Sequence, residues 1–463
     1  MERQMPIIDA LSAIGGGAAA MLCMPGHKGD TGFFCGDTLK LDITELPGAD
    51  NLLCPEGVIE ESQRLHADFI DAGAAFYTTG GSTAGVLAML SLFRGKKVIF
   101  PRGVHFSAAN AIFMFGITPV YLRWPPCDYP AVVSAEDVKA ALLANRDAAA
   151  VFIVYPNYFG FCCDIEAIAQ IAHKMGVPLV VDAAHAAHFA FSPLLPLAPS
   201  HAGADIWTES AHKTLPAMNQ CACVCLGRQS LVAPWELKQA LTCFQTTSPS
   251  YLLLASLDYA HAFMRDKGEQ ELFRIINLGR RFEEMVDGLP GYSCVHIQQE
   301  NVSESDCLKV IIDVSGTGHT GIDVKDMLAG QGIYVEAADL KNILLMLSVG
   351  NTTAHLDTLY DALKHIEKKP GRGIYFSPYS MPEATKYSQN ARLWGNIESV
   401  RIEQSVGRIS ASAAGVYPPA EVVVQRGQVM SYEIAGYLLE ARRQGFGVFG
   451  TEGDNIRVYK ERT

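Results

Sequence analysis

Lys213 lies in a stretch of the chain, WTESAHKTLPAMNQ at 207–220, that contains few other charged residues. It follows Ser210 and His212 and precedes short, weakly charged side chains, which is not the pattern of a solvated lysine-rich surface. A lysine amine in its free-base form is a nucleophile toward carbonyl carbons. Lys213 is therefore the first candidate for a catalytic residue.

A second candidate site is the glycine-rich turn TTGGSTAGVLAML at 78–90, which opens onto an apolar, helix-like run. Backbone N–H groups at a helix N-terminus, together with the hydroxyls of Ser82 and Thr83, would bind a phosphate group. An ordinary capped helix after a turn has the same pattern, so this stretch alone leaves both interpretations open.

An acid and several histidines follow two of the strand-like runs. Asp182 ends the apolar run VPLVVD at 177–182, and open α/β sheets place ligand residues at the C-terminal ends of strands. Such an acid either caps a helix or pairs with a buried cation. His105 follows another run, and His185 and His188 follow Asp182 with a spacing that suits zinc poorly, so we expect no metal here.

In combination, these residues predict a site for pyridoxal 5′-phosphate (PLP). Lys213 would form a Schiff base with the cofactor, and Asp182 would hold the pyridine nitrogen protonated so that the ring can accept electrons. His105 would stack on the flat ring. Ser210 and His212 would bind the phosphate group of the cofactor.

Helix-like stretches and short apolar runs alternate along the part of the chain that would position these residues. The apolar runs are KKVIF at 96–100, TPVYL at 118–122, AAAVFIVYP at 148–156 and VPLVVD at 177–182. Helical apolar spacing at 136–147 and 165–176 precedes two of them. Continuous apolar runs separated by helices predict an α/β fold with a mostly parallel sheet that is covered on both faces.

The length of 463 residues is compatible with two domains. A long helical pattern at 251–287 ends at GLPGYSC, and a strand, helix, strand, strand order follows at 307–350, as in a small α+β domain. A further helix is predicted at 430–445. We expect an N-terminal arm and a PLP-binding large domain at 1–287, and a smaller C-terminal α+β domain at 288–463.

Composition excludes several classes of function. A net charge of −12 argues against nucleic acid or an anionic membrane as a partner, because both need clustered Lys and Arg. Charged residues make up 19% of the chain, which favours extensive burial and a homo-oligomer interface. The N-terminus lacks a secretory pattern and no apolar run is long enough for a membrane span, so we expect a soluble, cytoplasmic protein.

The 12 cysteines contain no CxxC pair, which favours reduced, buried thiols over a disulfide framework. Cys221, Cys223 and Cys225 in CACVC alternate and would share one face of a strand. A metal site is one interpretation of this pattern, but core packing is favoured.

The sequence also resembles the short-form bacterial ornithine/lysine/arginine decarboxylases, PLP-dependent enzymes with the aspartate-aminotransferase fold (fold type I). The resemblance runs nearly end to end and is carried by MPGHKGDTGF at 24–33, DITELPGADNLLCPEGVI at 42–59, GGSTAG at 80–85, YPNYFGFCCDI at 155–165, SAHKT at 210–214, FQTTSPSYLLLASLD at 244–258, TGIDVKDMLAGQGIYVEAAD at 320–339 and GRISASAAGVYPP at 407–419. Because PGHKG stands so near the start, we expect no receiver-like domain of the kind that long members carry.

The resemblance implies roles for individual residues. The implied catalytic set is Lys213, His105, Asp182 and His212, with Lys213 or His212 as the proton donor to Cα. The implied cofactor-binding set is Ser82, Thr83, His105, Asp182, His185, Ser210, His212, Lys213 and Thr247, the last supplied by the neighbouring subunit of a homodimer. Glu336 matches a substrate-recognition position, with Asp339 as a second candidate; a salt bridge within the small domain is the other interpretation of both.

The chain departs from the family pattern near the expected site. Ala183 and Ala186 replace an acid and a glycine, and Phe106 replaces the lysine that usually follows the stacking histidine. Ala420 and Glu421 stand where Gly-Ile is common. These changes leave the expected cofactor residues in place but alter the surrounding pocket.

The function that the resemblance implies is decarboxylation of a basic amino acid to an amine and CO₂, in polyamine biosynthesis, with arginine favoured over lysine and ornithine. One alternative is a PLP-dependent aminotransferase or lyase. Another is an inactive PLP-binding regulatory paralogue. A nicotinamide dehydrogenase is disfavoured because no GxGxxG follows an early strand.

Overall fold

The structure is a computed structural model that describes residues 20–22, 49–124, 127–296, 301–370, 376–388, 396–418 and 420–460. The expected N-terminal arm and the motif at 24–33 lie outside the described residues. The strands are β1 (Ala20–Leu22), β2 (Ala74–Thr78), β3 (Lys97–Phe100), β4 (Thr118–Tyr121), β5 (Ala148–Val154), β6 (Phe161–Cys162), β7 (Leu179–Asp182), β8 (Ile206–Glu209), β9 (Ala222–Leu226), β10 (Ser293–Cys294), β11 (Glu304–Ser305), β12 (Lys309–Asp313), β13 (Ile333–Val335), β14 (Ala337–Ala338), β15 (Asn342–Met346), β16 (Ile397–Arg401), β17 (Ala414–Tyr417), β18 (Glu421–Val424), β19 (Gly447–Phe449), β20 (Thr451–Glu452) and β21 (Asn455–Tyr459).

Helices separate most of the early strands. They are α1 (Val58–Phe69), α2 (Gly81–Ser91), α3 (Phe106–Met114), α4 (Ala135–Ala144), α5 (Ile165–Lys174), α6 (Ala211–Thr214), α7 (Pro234–Thr242), α8 (Tyr251–Asp287), α9 (Gly321–Ala329), α10 (Thr353–Lys364) and α11 (Tyr432–Arg443). Within the described ranges, no helix combines the length and the apolar character that crossing a membrane requires.

A seven-stranded sheet in the order β2-β9-β8-β7-β5-β3-β4 forms the centre of the fold. The strands from β8 to β4 are parallel, and β9 is antiparallel to both of its neighbours. Val151 and Ile153 of β5 pack into one hydrophobic cluster, whereas Ala150 and Phe152 pack into another, so both faces of the sheet are covered. The predicted α/β fold with a mostly parallel sheet is confirmed.

Most predicted elements are present, but several begin later or end earlier than expected. The strand expected at 148–156 ends at Val154, and the one expected at 177–182 begins at Leu179. The helix expected at 165–176 ends at Lys174, and Gly176 has a φ of +69°, the left-handed conformation with which glycine commonly ends helices. The pattern of 251–287 is one helix over that whole range.

Smaller sheets follow the long helix α8. A four-stranded sheet has the order β10-β12-β15-β14, and two three-stranded sheets are formed by β16-β21-β20 and β18-β17-β19. The helix expected at 430–445 is α11. The largest hydrophobic cluster contains residues from both sides of position 288, so the division into domains at 287/288 stays a prediction.

Candidate active site

Lys213 lies in α6, the short helix that begins directly after β8. Because β8 is parallel to β7 and β5, this placement brings its amine to the C-terminal edge of the sheet, where open α/β folds bind ligands. Burial lowers the pKa of Lys213, and the carboxylates of Asp182 and Glu336 oppose part of this shift. A larger share of the amine is therefore free base near neutral pH than for a solvated lysine.

Asp182 is the last residue of β7, and only 5% of its surface is exposed. Its Oδ1 accepts a hydrogen bond from the Ala184 N–H at 3.2 Å, so it caps a turn rather than an α-helix. No residue in the described part of the chain donates a hydrogen bond to Oδ2. This carboxylate therefore has an oxygen available to accept a hydrogen bond from a ligand.

One pocket brings together five of the residues that the sequence predicted for the site. These are Ser82, His105, Asp182, His185 and Lys213. The remaining lining residues are Pro101, Gly103, Trp124, Ala131, Val132, Val133, Val154, Asn157, Tyr158, Ala184, Ala420 and Glu421. The wall is therefore mainly apolar, with a few convergent polar groups, as in many small-molecule sites.

The residues that are expected to bind a phosphate lie around the start of α2. Gly81 has a φ of +70°, and the Ser210 hydroxyl donates a hydrogen bond to Ser82 Oγ over 2.8 Å. A Cβ at Gly85 would lie 2.4 Å from Thr208 Oγ1, so glycine is what allows α2 to lie this close to β8. Thr83 is exposed at the same helix end.

Two other predicted residues lie outside the pocket lining. His212 Nδ1 is 2.9 Å from the Cys221 carbonyl oxygen, to which it can only donate, and burial lowers the pKa of His212. Thr247 is exposed and does not line the pocket. The role of Thr247 therefore depends on a second subunit and stays a prediction.

His185 lies between two lysines. Its Nε2 is 3.0 Å from Lys213 Nζ, and its Nδ1 is 3.0 Å from Lys309 Nζ. Burial holds the pKa of His185 well below its ordinary value, and both lysine charges add to this shift, so the ring is neutral. A neutral imidazole has one donor and one acceptor nitrogen, so one of the two lysines must accept a hydrogen bond as an unprotonated amine.

Lys309 is a residue that the sequence analysis missed. It is 6% exposed, and burial lowers its pKa to about 8, while Glu336 and Asp306 help to hold its charge. We expect Lys309 to donate to Nδ1, which leaves the Nε2–H of His185 to donate to Lys213. The one available signal was a lone lysine that opens the apolar run KVIID at 309–313.

Glu336 is connected to the pocket through Tyr158. The Tyr158 hydroxyl donates to Glu336 Oε1 at 2.6 Å, and the Tyr158 ring lies in the pocket wall. Asp339 lies in a separate cavity with Lys341 and Asn342, and its oxygens accept from the N–H groups of those two residues and from the Tyr379 hydroxyl. These contacts favour Glu336 over Asp339 as a group that acts on the pocket.

Glu421 is an acid of the pocket lining to which the sequence assigned no role. The backbone of Glu421 forms a β-bridge with that of His105. Its carboxylate packs against Gly103, so closely that a Cβ added to Gly103 would lie only 2.6 Å from it. No described residue donates a hydrogen bond to this carboxylate. Burial raises the pKa of Glu421 to about 7, and the Arg102 guanidinium offsets part of the shift.

His188 does not form a metal site with His185. Its Nε2 is 3.2 Å from Asp306 Oδ2, and both side chains are almost completely buried. His185 is held between the two lysines instead. The histidine pair after Asp182 is therefore divided between the pocket and a buried contact with Asp306.

Comparison with known proteins identifies the family. The profile described as Orn/Lys/Arg decarboxylase, major domain, matches residues 6–313. An arginine decarboxylase of Halalkalibacterium halodurans is 31% identical, with 99% of this chain and 98% of that protein aligned. An arginine decarboxylase of Bacillus subtilis is 30% identical over 99% of each chain.

Solved structures show the same fold. A lysine decarboxylase of Francisella novicida superposes with a TM-score of 0.76 at 17% identity, covering 99% of this chain and 82% of that one. The constitutive lysine decarboxylase of E. coli superposes with a TM-score of 0.74 at 19% identity, with the same coverage. The match to the family profile and the similarity to the two arginine decarboxylases show that this chain belongs to the Orn/Lys/Arg decarboxylase family.

Proposed function

We propose that this chain catalyses the PLP-dependent decarboxylation of a basic amino acid, with arginine favoured over lysine and ornithine. The observation that carries the proposal is the buried amine of Lys213, which shares one pocket with Asp182 and His105. The preference for arginine is supported by relatives that are named arginine decarboxylases and that align over nearly the whole chain.

The residues of the pocket fit PLP. Asp182 Oδ2 is available to accept a hydrogen bond from a protonated pyridine nitrogen, and the Ser82 and Ser210 hydroxyls lie beside the backbone N–H groups that begin α2. When bound, PLP would supply an electron sink for the electron pair that remains on Cα after the carboxylate leaves. Lys213 would hold the cofactor and His105 would cover its ring.

Residues in and beside the pocket favour the reactive form of the Lys213 amine and supply the proton that Cα receives. His185 and Lys309 favour the free-base form of Lys213, which is the form that can bind a carbonyl carbon. Apolar groups such as Val132 and Val133 limit the access of water to the pocket. Lys213 lines the pocket while His212 does not, so we favour Lys213 as the donor of the proton to Cα.

The direct test is CO₂ release by purified protein with PLP, measured in parallel on arginine, lysine and ornithine. We expect release from at least one of the three, with arginine fastest. Production of a keto acid without CO₂ would instead indicate aminotransfer. Absence of turnover in a protein that still binds PLP would indicate the regulatory alternative and would overturn the proposal.

Recognition of the substrate's cationic end needs an acid, and we assign it to Glu421 because this carboxylate lines the pocket directly. Glu421→Gln is expected to raise KM for arginine about tenfold, the value of one charge-assisted hydrogen bond. Because the carboxylate ionises above about pH 7, KM of the unmodified enzyme should fall as pH rises through that value. KM is measured from pH 6 to about 8, a range that brackets the pKa of Glu421.

Glu336→Gln is the paired variant for this experiment. A KM that changes in Glu336→Gln but not in Glu421→Gln would return the recognition role to Glu336. Loss of the pH dependence in Glu421→Gln alone is the expected signature of direct contact between that carboxylate and the substrate.

Lys309 is a positioning residue in this proposal. Lys309→Met removes the donor to His185 Nδ1, so Nε2 becomes free to accept from protonated Lys213 and stabilises the charged form. We expect the pH midpoint for PLP binding to cofactor-free protein, followed by absorbance, to rise by about one unit, which corresponds to about 1.4 kcal/mol. Lys341→Met is the control because Lys341 lines the other cavity. If the unmodified protein, Lys309→Met and Lys341→Met all bind PLP with the same pH midpoint, the positioning role of Lys309 is contradicted.

A homodimer completes the proposed site, since Thr247 is exposed and would reach the phosphate of the other subunit. A cytoplasmic location and a place in polyamine biosynthesis belong to the same proposal. They follow from the family membership and from the amine product.

A further inference from the structure

A second group of chemically reactive side chains is buried away from the candidate active site. Cys223 and Cys225 alternate along β9 on one face of the strand, and their Sγ atoms are 3.6 Å apart. A ring nitrogen of His66, on α1, and the two sulfur atoms all lie within 4.8 Å of one another. All three side chains are completely buried, and none lines the pocket of Lys213.

His66 is the member of this group that most needs a ligand. Neither of its ring nitrogens has a hydrogen-bond partner among the described residues. Its ring is stacked on that of His261, with 3.6 Å between the centroids and 3° between the planes, so its orientation is held by packing. Buried polar groups are nearly always satisfied, and an unpaired imidazole beside two thiols indicates a missing partner.

A carboxylate lies beside the same cluster. Glu209 is directly opposite Cys223 in the ladder between β8 and β9, and its Oε2 is 3.9 Å from His66 Nε2. The Trp207 indole N–H donates to Oε1 at 2.7 Å, which orients the carboxylate as outer hydrogen bonds orient metal ligands.

We propose that His66, Cys223, Cys225 and Glu209 bind a zinc ion that stabilises the fold. Zinc prefers four tetrahedral N, S and O ligands, and Zn–S bonds of about 2.3 Å place two sulfur atoms about 3.8 Å apart. The observed sulfur separation of 3.6 Å is close to this value. His66 and the two cysteines form the compact part of the set, and Glu209, whose Oε2 is 3.9 Å from His66 Nε2, would turn toward them as the fourth ligand. A site with four protein ligands has no open position, which is typical of structural zinc.

The charges of the cluster also suit a zinc ion. Two thiolates and one carboxylate carry three negative charges. With Zn²⁺ bound, the cluster therefore has a net charge of minus one. Arg265 acts electrostatically on His66, and its buried Nη1 has no hydrogen-bond partner among the described residues. Its guanidinium would offset the remaining charge. Metal binding would release to solvent the protons that the two thiols and the Glu209 carboxyl group carry, as these ligands ionise.

The competing account is a metal-free core in which Cys225 donates a weak hydrogen bond to Cys223. That account satisfies both thiols, because Cys223 donates to the Val224 carbonyl oxygen at 3.8 Å, but it leaves His66 unpaired. The two accounts differ in metal content, and the measurement does not depend on the decarboxylase proposal.

The test is zinc analysis of protein produced in zinc-supplemented medium and purified without chelator. We expect about one zinc ion per chain, as in other structural sites with four ligands. Cys223→Val and Cys225→Val should lose the metal. Cys221→Val is the matched control, because Cys221 is an equally buried neighbour whose Sγ–H donates to the Leu253 carbonyl instead.

Cobalt substitution gives an independent readout. Cobalt in place of zinc should produce thiolate charge-transfer absorbance in the unmodified protein and in Cys221→Val, but not in Cys225→Val. If the valine variants fail to fold, His66→Phe keeps the stack on His261 and removes the nitrogen ligands. Folded, unmodified protein that retains neither zinc nor cobalt would overturn the proposal, and so would equal metal loss in the Cys221→Val control.

Discussion

Replacing Lys213 with alanine is expected to abolish CO₂ release from every basic amino acid, lowering the rate at least about 10³-fold. Among the described residues that line the pocket, Lys213 is the one whose amine is positioned to bind a carbonyl carbon, and its lowered pKa makes the reactive form accessible. Its loss also removes the favoured proton donor. The measurement is CO₂ release with saturating PLP, together with the absorbance spectrum of the protein and cofactor.

The matched control is Lys341→Ala, which removes a lysine from the separate cavity and should retain full activity. Lys213→Ala should also lose the absorbance of lysine-bound cofactor while remaining folded. Substantial turnover in Lys213→Ala would mean that another group, with Lys309 as the first candidate, performs this role.

Replacing Asp182 with asparagine should lower kcat on the order of 10²-fold or more, the usual scale for removal of a preorganised electrostatic contact. Asparagine keeps the shape and the acceptor oxygen but removes the negative charge that would favour a protonated pyridine nitrogen. The loss should fall on kcat rather than on KM, because the charge acts on the electrons released in the reaction. Steady-state kinetics on arginine would separate the two parameters.

Asp147→Asn serves as the control for this variant, because Asp147 is an exposed carboxylate paired with Lys97 at the surface. It should leave kcat unchanged. An Asp182→Asn enzyme that loses only substrate affinity would show that the carboxylate binds substrate rather than supporting the cofactor ring. That result would remove Asp182 from the catalytic set.

Local patterns were sufficient to predict much of the central sheet. The run at 148–156 is apolar on both faces, and β5 indeed contacts a hydrophobic cluster on each side. The helical spacing at 165–176 predicted α5, and Gly176 adopts the left-handed φ with which helices commonly end. Such features follow from short-range periodicity and backbone preferences, so they can be recognised without knowledge of the fold. The ends of these predicted elements differ from the structure, because tertiary contacts decide where each one stops.

Sequence by itself determined the family and the α/β class. It also predicted Lys213, Asp182 and His105 as site residues, because each of them stands in a local motif beside a strand end. The tertiary structure alone brought Lys309 to His185, placed Glu421 in the pocket wall and set His66 beside Cys223. These contacts join parts of the chain that are distant in sequence, and no local pattern records which side chains will meet when a sheet and its helices pack. The burial of these side chains shifts their pKa values and selects their charge states, and it exists only once that packing has formed.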